Sequence, residues 1–132
     1  MDSWYADAPS APAQSSISGA EAAALARVAR DLRVEPSELD PVRVTVTDHE
    51  VKIELRGLPG KRLACGPRES LEELTWRFAD QLQEYFLEAG EVRPACPGHP
   101  HPLDPVFDGV RAEWVCPKDD SHLRVPIGEL QT

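Results

Sequence analysis

Residues 42–55 read VRVTVTDHEVKIEL. Val42, Val44 and Val46 alternate with Arg43, Thr45 and Thr47; after Asp48-His49-Glu50, Val51, Ile53 and Leu55 alternate with Lys52, Glu54 and Arg56. Successive side chains of a strand point to opposite faces, so this stretch predicts a β-hairpin with one apolar, buried face and one charged face. His49 falls in the turn and reads as an exposed turn residue. Gly57 to Gly60 supplies a further turn, after which Lys61 to Cys65 is expected to add a short third strand with Leu63 and Cys65 inward. Cys65 has no histidine near it in sequence and reads as a buried, inert thiol.

The layer that covers this hairpin is predicted on either side of it. Upstream, Ser18 and Glu21 form a capping box, and Ala22, Leu25, Val28, Ala29 and Leu32 place one apolar face on a helix that Pro36 stops. Downstream, Ser70 to Glu73 forms a second capping box. It opens a longer helix whose stripe of Leu71, Leu74, Phe78, Leu82, Tyr85, Phe86 and Ala89 is expected to cover the sheet, with Gly90 as its terminating residue. The fold class is therefore α+β, an α-β-β-(β)-α body over residues 18–90. Residues 1–17, rich in Ala, Pro, Ser and Asp without any period, read as a disordered tail in which Trp4 and Tyr5 are the only large apolar groups.

Residues 94–105 contain five prolines in twelve positions, which excludes a helix or a central strand and marks a module boundary. Beyond it, Asp108-Gly109 reads as a tight turn between Pro105-Val106-Phe107 and the strand Val110 to Val115. Simple pairing about that turn sets Phe107 opposite Val110 and His101 opposite Cys116. Leu123 to Ile127 is expected to add a last short strand to this third part, residues 91–132.

Two cysteines in this module are each followed by proline, Cys96-Pro97-Gly98-His99 and Cys116-Pro117-Lys118-Asp119. Proline fixes φ just after a ligand, and the small or polar residue beyond it allows a tight turn, the arrangement a metal knuckle uses. Twenty positions separate the two cysteines, within the range of two-knuckle zinc modules. On these residues, the segment 92–132 resembles a zinc ribbon, with Cys96, His99 and Cys116 at three of the four ligand positions. It departs from the ribbon pattern at the fourth, where Asp119 stands in place of Cys or His. The resemblance implies a structural Zn²⁺ in a small β-module. Two thiolates and two imidazoles would close the shell. His122, as Cys116-x5-His122, is favoured for the fourth place, with His101 across the hairpin and Asp119 as alternatives.

Charge and motif content narrow the function. The net charge is −9, and acidic residues exceed basic ones in the tail, the body and the module alike. No cluster of Lys and Arg displaces counterions from phosphates, so neither nucleic acid nor an anionic membrane is an expected partner; a basic or neutral protein is. No apolar run is long enough to span a bilayer and the first residues lack the apolar segment of a secretory signal, so a cytoplasmic protein is expected. Three cysteines, an odd number, argue against a disulfide framework. There is no phosphate loop, no nucleophile elbow and no His-Glu-x-x-His pair. A non-enzymatic binding or adaptor protein is the leading expectation. The alternative is a small zinc metalloenzyme in which Cys96, His99 and Cys116 leave one coordination position open and Glu113 or Asp120 acts as general base.

Overall fold

Side-chain caps set where both helices begin. In the computed structural model, which describes residues 17–131, helix α1 runs Gly19–Leu32: Ser18 Oγ accepts from the Glu21 N–H, and the Glu21 carboxylate accepts from the Ser18 N–H in return. The expected tail, with Trp4 and Tyr5, lies outside the described residues apart from Ile17, which packs against the core just ahead of the cap. Helix α2, Leu71–Glu88, opens with Ser70 Oγ accepting from the Glu73 N–H. Glu73 does not reach back to complete a box; its carboxylate is drawn to Arg77 one turn on.

Both helices end in the same way. Beyond α2, Gly90 has φ 84°, the Glu91 N–H donates to Phe86 O at 2.8 Å and the Gly90 N–H to Leu87 O at 3.0 Å, a Schellman closure. Beyond α1, Val34 N–H reaches Ala29 O at 3.0 Å, but the left-handed position is held by Arg33, at φ 59° and ψ 47°. A side chain in that region costs about 1–2 kcal/mol, against the smaller entropic cost of glycine. Arg33→Gly is therefore expected to stabilise the protein by about 0.5–1 kcal/mol, read as a higher urea midpoint; a lower midpoint would mean that the Arg33 side chain makes a contribution the backbone geometry does not predict.

The period-two stretch forms strands β1 (Pro41–Val46) and β2 (Val51–Leu55), and Arg62–Cys65 forms β3, giving an antiparallel sheet in the order β1-β2-β3. Val44, Val51, Ile53, Leu55, Leu63 and Cys65 are buried as the alternation requires. Val42 is not: a register shift between Pro41 and Arg43 places an extra residue on β1, and Val42 turns outward at 46% exposure. The free edge of β3 is covered by Gln81, whose amide accepts from Ala64 N–H and donates to Ala64 O at 2.9 and 2.7 Å.

Strands β4 (Asp104–Phe107), β5 (Ala112–Val115) and β6 (Arg124–Pro126) form a second antiparallel sheet in chain order. The fold is thus α+β, with both short strands inferred from sequence, β3 and β6, present. The β4–β5 register differs from simple pairing. Phe107 lies opposite Ala112, not Val110, because Asp108 Oδ1 accepts from the N–H groups of both Val110 and Arg111 and closes a four-residue loop. The ladder consequently stops at Asp104 opposite Val115 and never reaches His101.

Helix α2 lies between the two sheets and serves both. Leu74, Phe78, Leu82 and Phe86, four apart, and Thr75, Ala79 and Gln83, one position on, are all buried, and the helix packs against α1 and β3 as well as against β4 and β5. Ala22 of α1 and Ala89 of the expected stripes are exposed instead, and Ala24 takes a core place. Gln83 donates to Leu103 O at 2.6 Å, Trp76 donates to Pro105 O at 3.2 Å and stacks on Phe107, and Glu72 accepts from the Ala112 N–H at 3.0 Å. One continuous core results, running from Val28 and Phe78 through Leu103 and Trp114 to Ile127.

Candidate metal centre

Four prolines between Pro94 and Pro102 have no N–H to contribute, so the few remaining amides decide the shape of this loop. Leu103 N–H donates to Pro94 O at 3.1 Å, Cys96 N–H to His101 O at 2.9 Å, and His99 N–H to Cys96 O at 3.0 Å. Gly98, with φ 83°, supplies the left-handed step that lets His99 fold back over Cys96. The loop thereby turns Cys96, His99 and His101 to one side, and Leu103, fully buried, anchors it immediately afterwards.

The second turn starts where β5 ends. Cys116 N–H donates to Leu123 O at 3.1 Å and His122 N–H to Asp119 O at 2.9 Å, folding residues 116–123 into a tight excursion before β6. Trp114, two residues before Cys116, is fully buried and fixes the strand that delivers the thiol.

The two turns bring Cys96, His99, His101 and Cys116 together, with one donor atom from each lying within 4.8 Å of every other. His99 Nδ1 is 3.4 Å from Cys96 Sγ and 3.6 Å from Cys116 Sγ. Metal bonds of about 2.0–2.3 Å at tetrahedral angles set adjacent donors about 3.3–3.8 Å apart, so these two edges already have the required length. Both thiols are buried, and burial followed by the neighbouring Cys116 thiol pushes the Cys96 pKa upward. A cation between them reverses that preference, since a coordinating thiol is deprotonated.

His101 supplies the decisive detail. Its Nδ1 lies 3.1 Å from Pro102 O, and because a carbonyl only accepts, the proton sits on Nδ1. That leaves the Nε2 lone pair free, and Nε2 is buried without any hydrogen-bond partner. A buried acceptor without a partner is costly, and a backbone carbonyl fixing the far nitrogen is the usual setting of a metal-binding imidazole. The donor set fits a tetrahedral metal.

The structure thus assembles Cys96, His99 and Cys116 from the expected set and adds His101. His122 stands beside the group, not within it: its Nε2 is 2.7 Å from Pro97 O and its ring centroid 4.5 Å from that of His99. The carboxylate of Asp119 is occupied by its own turn, accepting from Ser121 Oγ at 2.6 Å and Ser121 N–H at 3.0 Å; these bonds, hydroxyl first, hold its pKa below the ordinary value. Glu113 and Asp120 both pair with Arg124, at 2.6 and 3.7 Å. His49 is exposed in its turn. Cys65 sits at the end of β3 in the other sheet, its pKa pushed up to about 12 by burial and then by the carboxylates of Glu21 and Glu69, which makes it a poor nucleophile. Sequence spacing favoured His122 over His101 and Asp119 for the fourth place; what brings His101 into the group is backbone closure, and the available signal was the proline on either side of His101 and the leucine that follows.

Comparison of the chain with protein-family models, with curated proteins and with solved structures gave no match.

Proposed function

We propose that this chain is a non-enzymatic binding module whose second sheet is clamped by a structural Zn²⁺ held by Cys96, His99, His101 and Cys116. The observation that carries this reading is the buried, unpartnered Nε2 of His101 in a group that already contains two thiols and a second imidazole. Two sulfur and two nitrogen donors suit zinc, which when bound would supply a redox-inert crosslink between the two turns. The chain's own contribution is to hold the donors: the prolines stiffen one turn, the Asp119 bonds stiffen the other, and Leu103 and Trp114 root both in the core.

A catalytic zinc would need its fourth corner open to water. His101 supports the closed alternative, and the residues suited to act as a base, Glu113 and Asp120, are engaged by Arg124. The occupant of the remaining surface is a protein partner of basic or neutral character, in keeping with the net charge of −9, and neither nucleic acid nor a membrane suits that charge. Among the described residues no helix is long and apolar enough to cross a membrane. Three free thiols, two of them ligands, are suited to a reducing compartment such as the cytoplasm.

Cobalt(II) substitution tests the closed shell. The wild-type protein is expected to give the intense visible bands of a four-coordinate thiolate site that added azide leaves unchanged. His101→Ala should open one position, altering those bands and making them sensitive to azide. Azide-sensitive bands in the wild type would favour the enzyme, and unchanged bands in His101→Ala would remove His101 from the shell.

A further inference from the structure

We propose that His122 is a positioning residue of the metal centre: it ties the second ligand turn to the first through Pro97 and holds Cys116 in coordinating range. This rests on the zinc reading above and adds a role for a histidine outside the four donors.

The two turns are unequal. The first brings three donors, Cys96, His99 and His101, on one short loop closed by its own backbone bonds; the second brings Cys116 alone. Backbone bonds close each turn on itself, and among the described residues none joins 94–103 to 116–123. Apart from the donor atoms themselves, the hydrogen bond that bridges them is His122 Nε2 to Pro97 O, at 2.7 Å. The His122 and His99 rings lie 4.5 Å apart at 38°, and His122 Cε1 is 4.0 Å from where a Gly98 side chain would start.

The chemistry fixes what His122 does. A carbonyl accepts, so Nε2 carries the proton; the lone pair that remains is on Nδ1, and His122 is not among the residues whose donor atoms lie within 4.8 Å of one another. Pro97 O has one other potential donor, the Cys96 thiol at 3.8 Å, and that proton is lost when the sulfur binds a metal. In the loaded site His122 is left as the donor to this carbonyl, which belongs to the residue directly after a ligand. His122 is itself exposed, with its ring 4.5 Å from that of His99. Groups of this kind, bonded to the shell without entering it, change metal affinity by about 10–100-fold when removed.

The test uses the full chain with Zn²⁺ and Co²⁺ as probes and three proteins: wild type, His122→Ala and His122→Gln, whose amide retains an N–H donor. His122→Ala should keep one metal per chain and the wild-type cobalt bands, bind about 10–100-fold more weakly, and lose zinc faster to a chelator. His122→Gln should recover most of that loss. Altered cobalt bands in His122→Ala would make His122 a ligand, and unchanged affinity would make the tie irrelevant; either overturns the inference while leaving a zinc site standing. A wild-type protein that binds neither metal overturns the zinc reading and this role together.

Discussion

Asp31→Ala is expected to destabilise the protein by about 3–5 kcal/mol, the usual loss when one member of a buried charged network is removed. The Asp31 side chain is completely buried. Its Oδ2 accepts from Trp114 Nε1 at 2.8 Å and from the Gly128 N–H, and its Oδ1 accepts from Arg30 at 2.7 Å and from the Leu130 N–H at 3.4 Å. One carboxylate on α1 therefore secures β5 and the segment that follows β6. Alanine would leave the indole and the Leu130 amide buried with no acceptor, and the Gly128 amide half-buried without one. Asparagine should cost nearly as much, since its NH₂ group would face N–H donors on whichever side it took. Trp114→Phe, which removes the donor together with the five-membered ring of a fully buried indole, should cost at least about 1.5–3 kcal/mol, and less in the Asp31→Ala background. Denaturant midpoints of the three variants measure this; an Asp31→Asn protein within about 0.5 kcal/mol of wild type would show that the network is not what joins α1 to the second sheet.

If Cys96, His99, His101 and Cys116 hold a structural Zn²⁺, as proposed, its removal is expected to have the largest effect of all. Structural zinc contributes about 10–16 kcal/mol of apparent free energy in small modules, comparable with or above the whole stability of an ordinary domain. Here Leu103 and Trp114 share a core with Phe78 and Val28, so part of the second sheet has support of its own, whereas beyond Cys96 and Cys116 the two turns contribute few side chains to that core and would depend on a bound metal. Chelation, or Cys116→Ser, should lower the melting temperature by more than about 10 °C. Because α2 is common to both sheets, the loss should appear as one broadened or displaced transition, not as a separate melting of residues 91–132. A melting curve indifferent to chelator would mean that the prolines and the core hold the turns unaided.

Much of this was written locally in the chain. Strict alternation marked β1 and β2, two serine caps marked both helix starts, and Gly90 marked the end of α2, because each depends on residues within a turn of one another. What failed to show did so for definite reasons. Val42 kept the alternation in sequence, but a bulge is a matter of partner register and turned it outward. Asp108-Gly109 promised a two-residue turn, yet the Asp108 carboxylate captured two amides and shifted the β4–β5 ladder. Asp31, like Arg27, Arg30 and Arg33, reads in sequence as lying largely off the apolar face of α1, yet it is buried because it accepts from Trp114, 83 residues away, a partner that nothing local names. At the metal centre, the two Cys-Pro turns were legible and the choice between His101 and His122 was not. It turns on which imidazole loop closure brings within 4.8 Å of the other donors with a buried, unpartnered nitrogen, and spacing does not encode that.

On the proposed reading, the side chains of Cys96, His99, His101 and Cys116 hold a structural Zn²⁺. Native mass spectrometry at neutral pH, on protein made without an affinity tag or added zinc, tests it most directly. One Zn²⁺ per chain is expected in the wild type, retained through dilution and lost in Cys96→Ser and Cys116→Ser. A wild-type protein that carries no metal, takes up none from a slight excess of Zn²⁺, and melts at the same temperature as Cys96→Ser would contradict it.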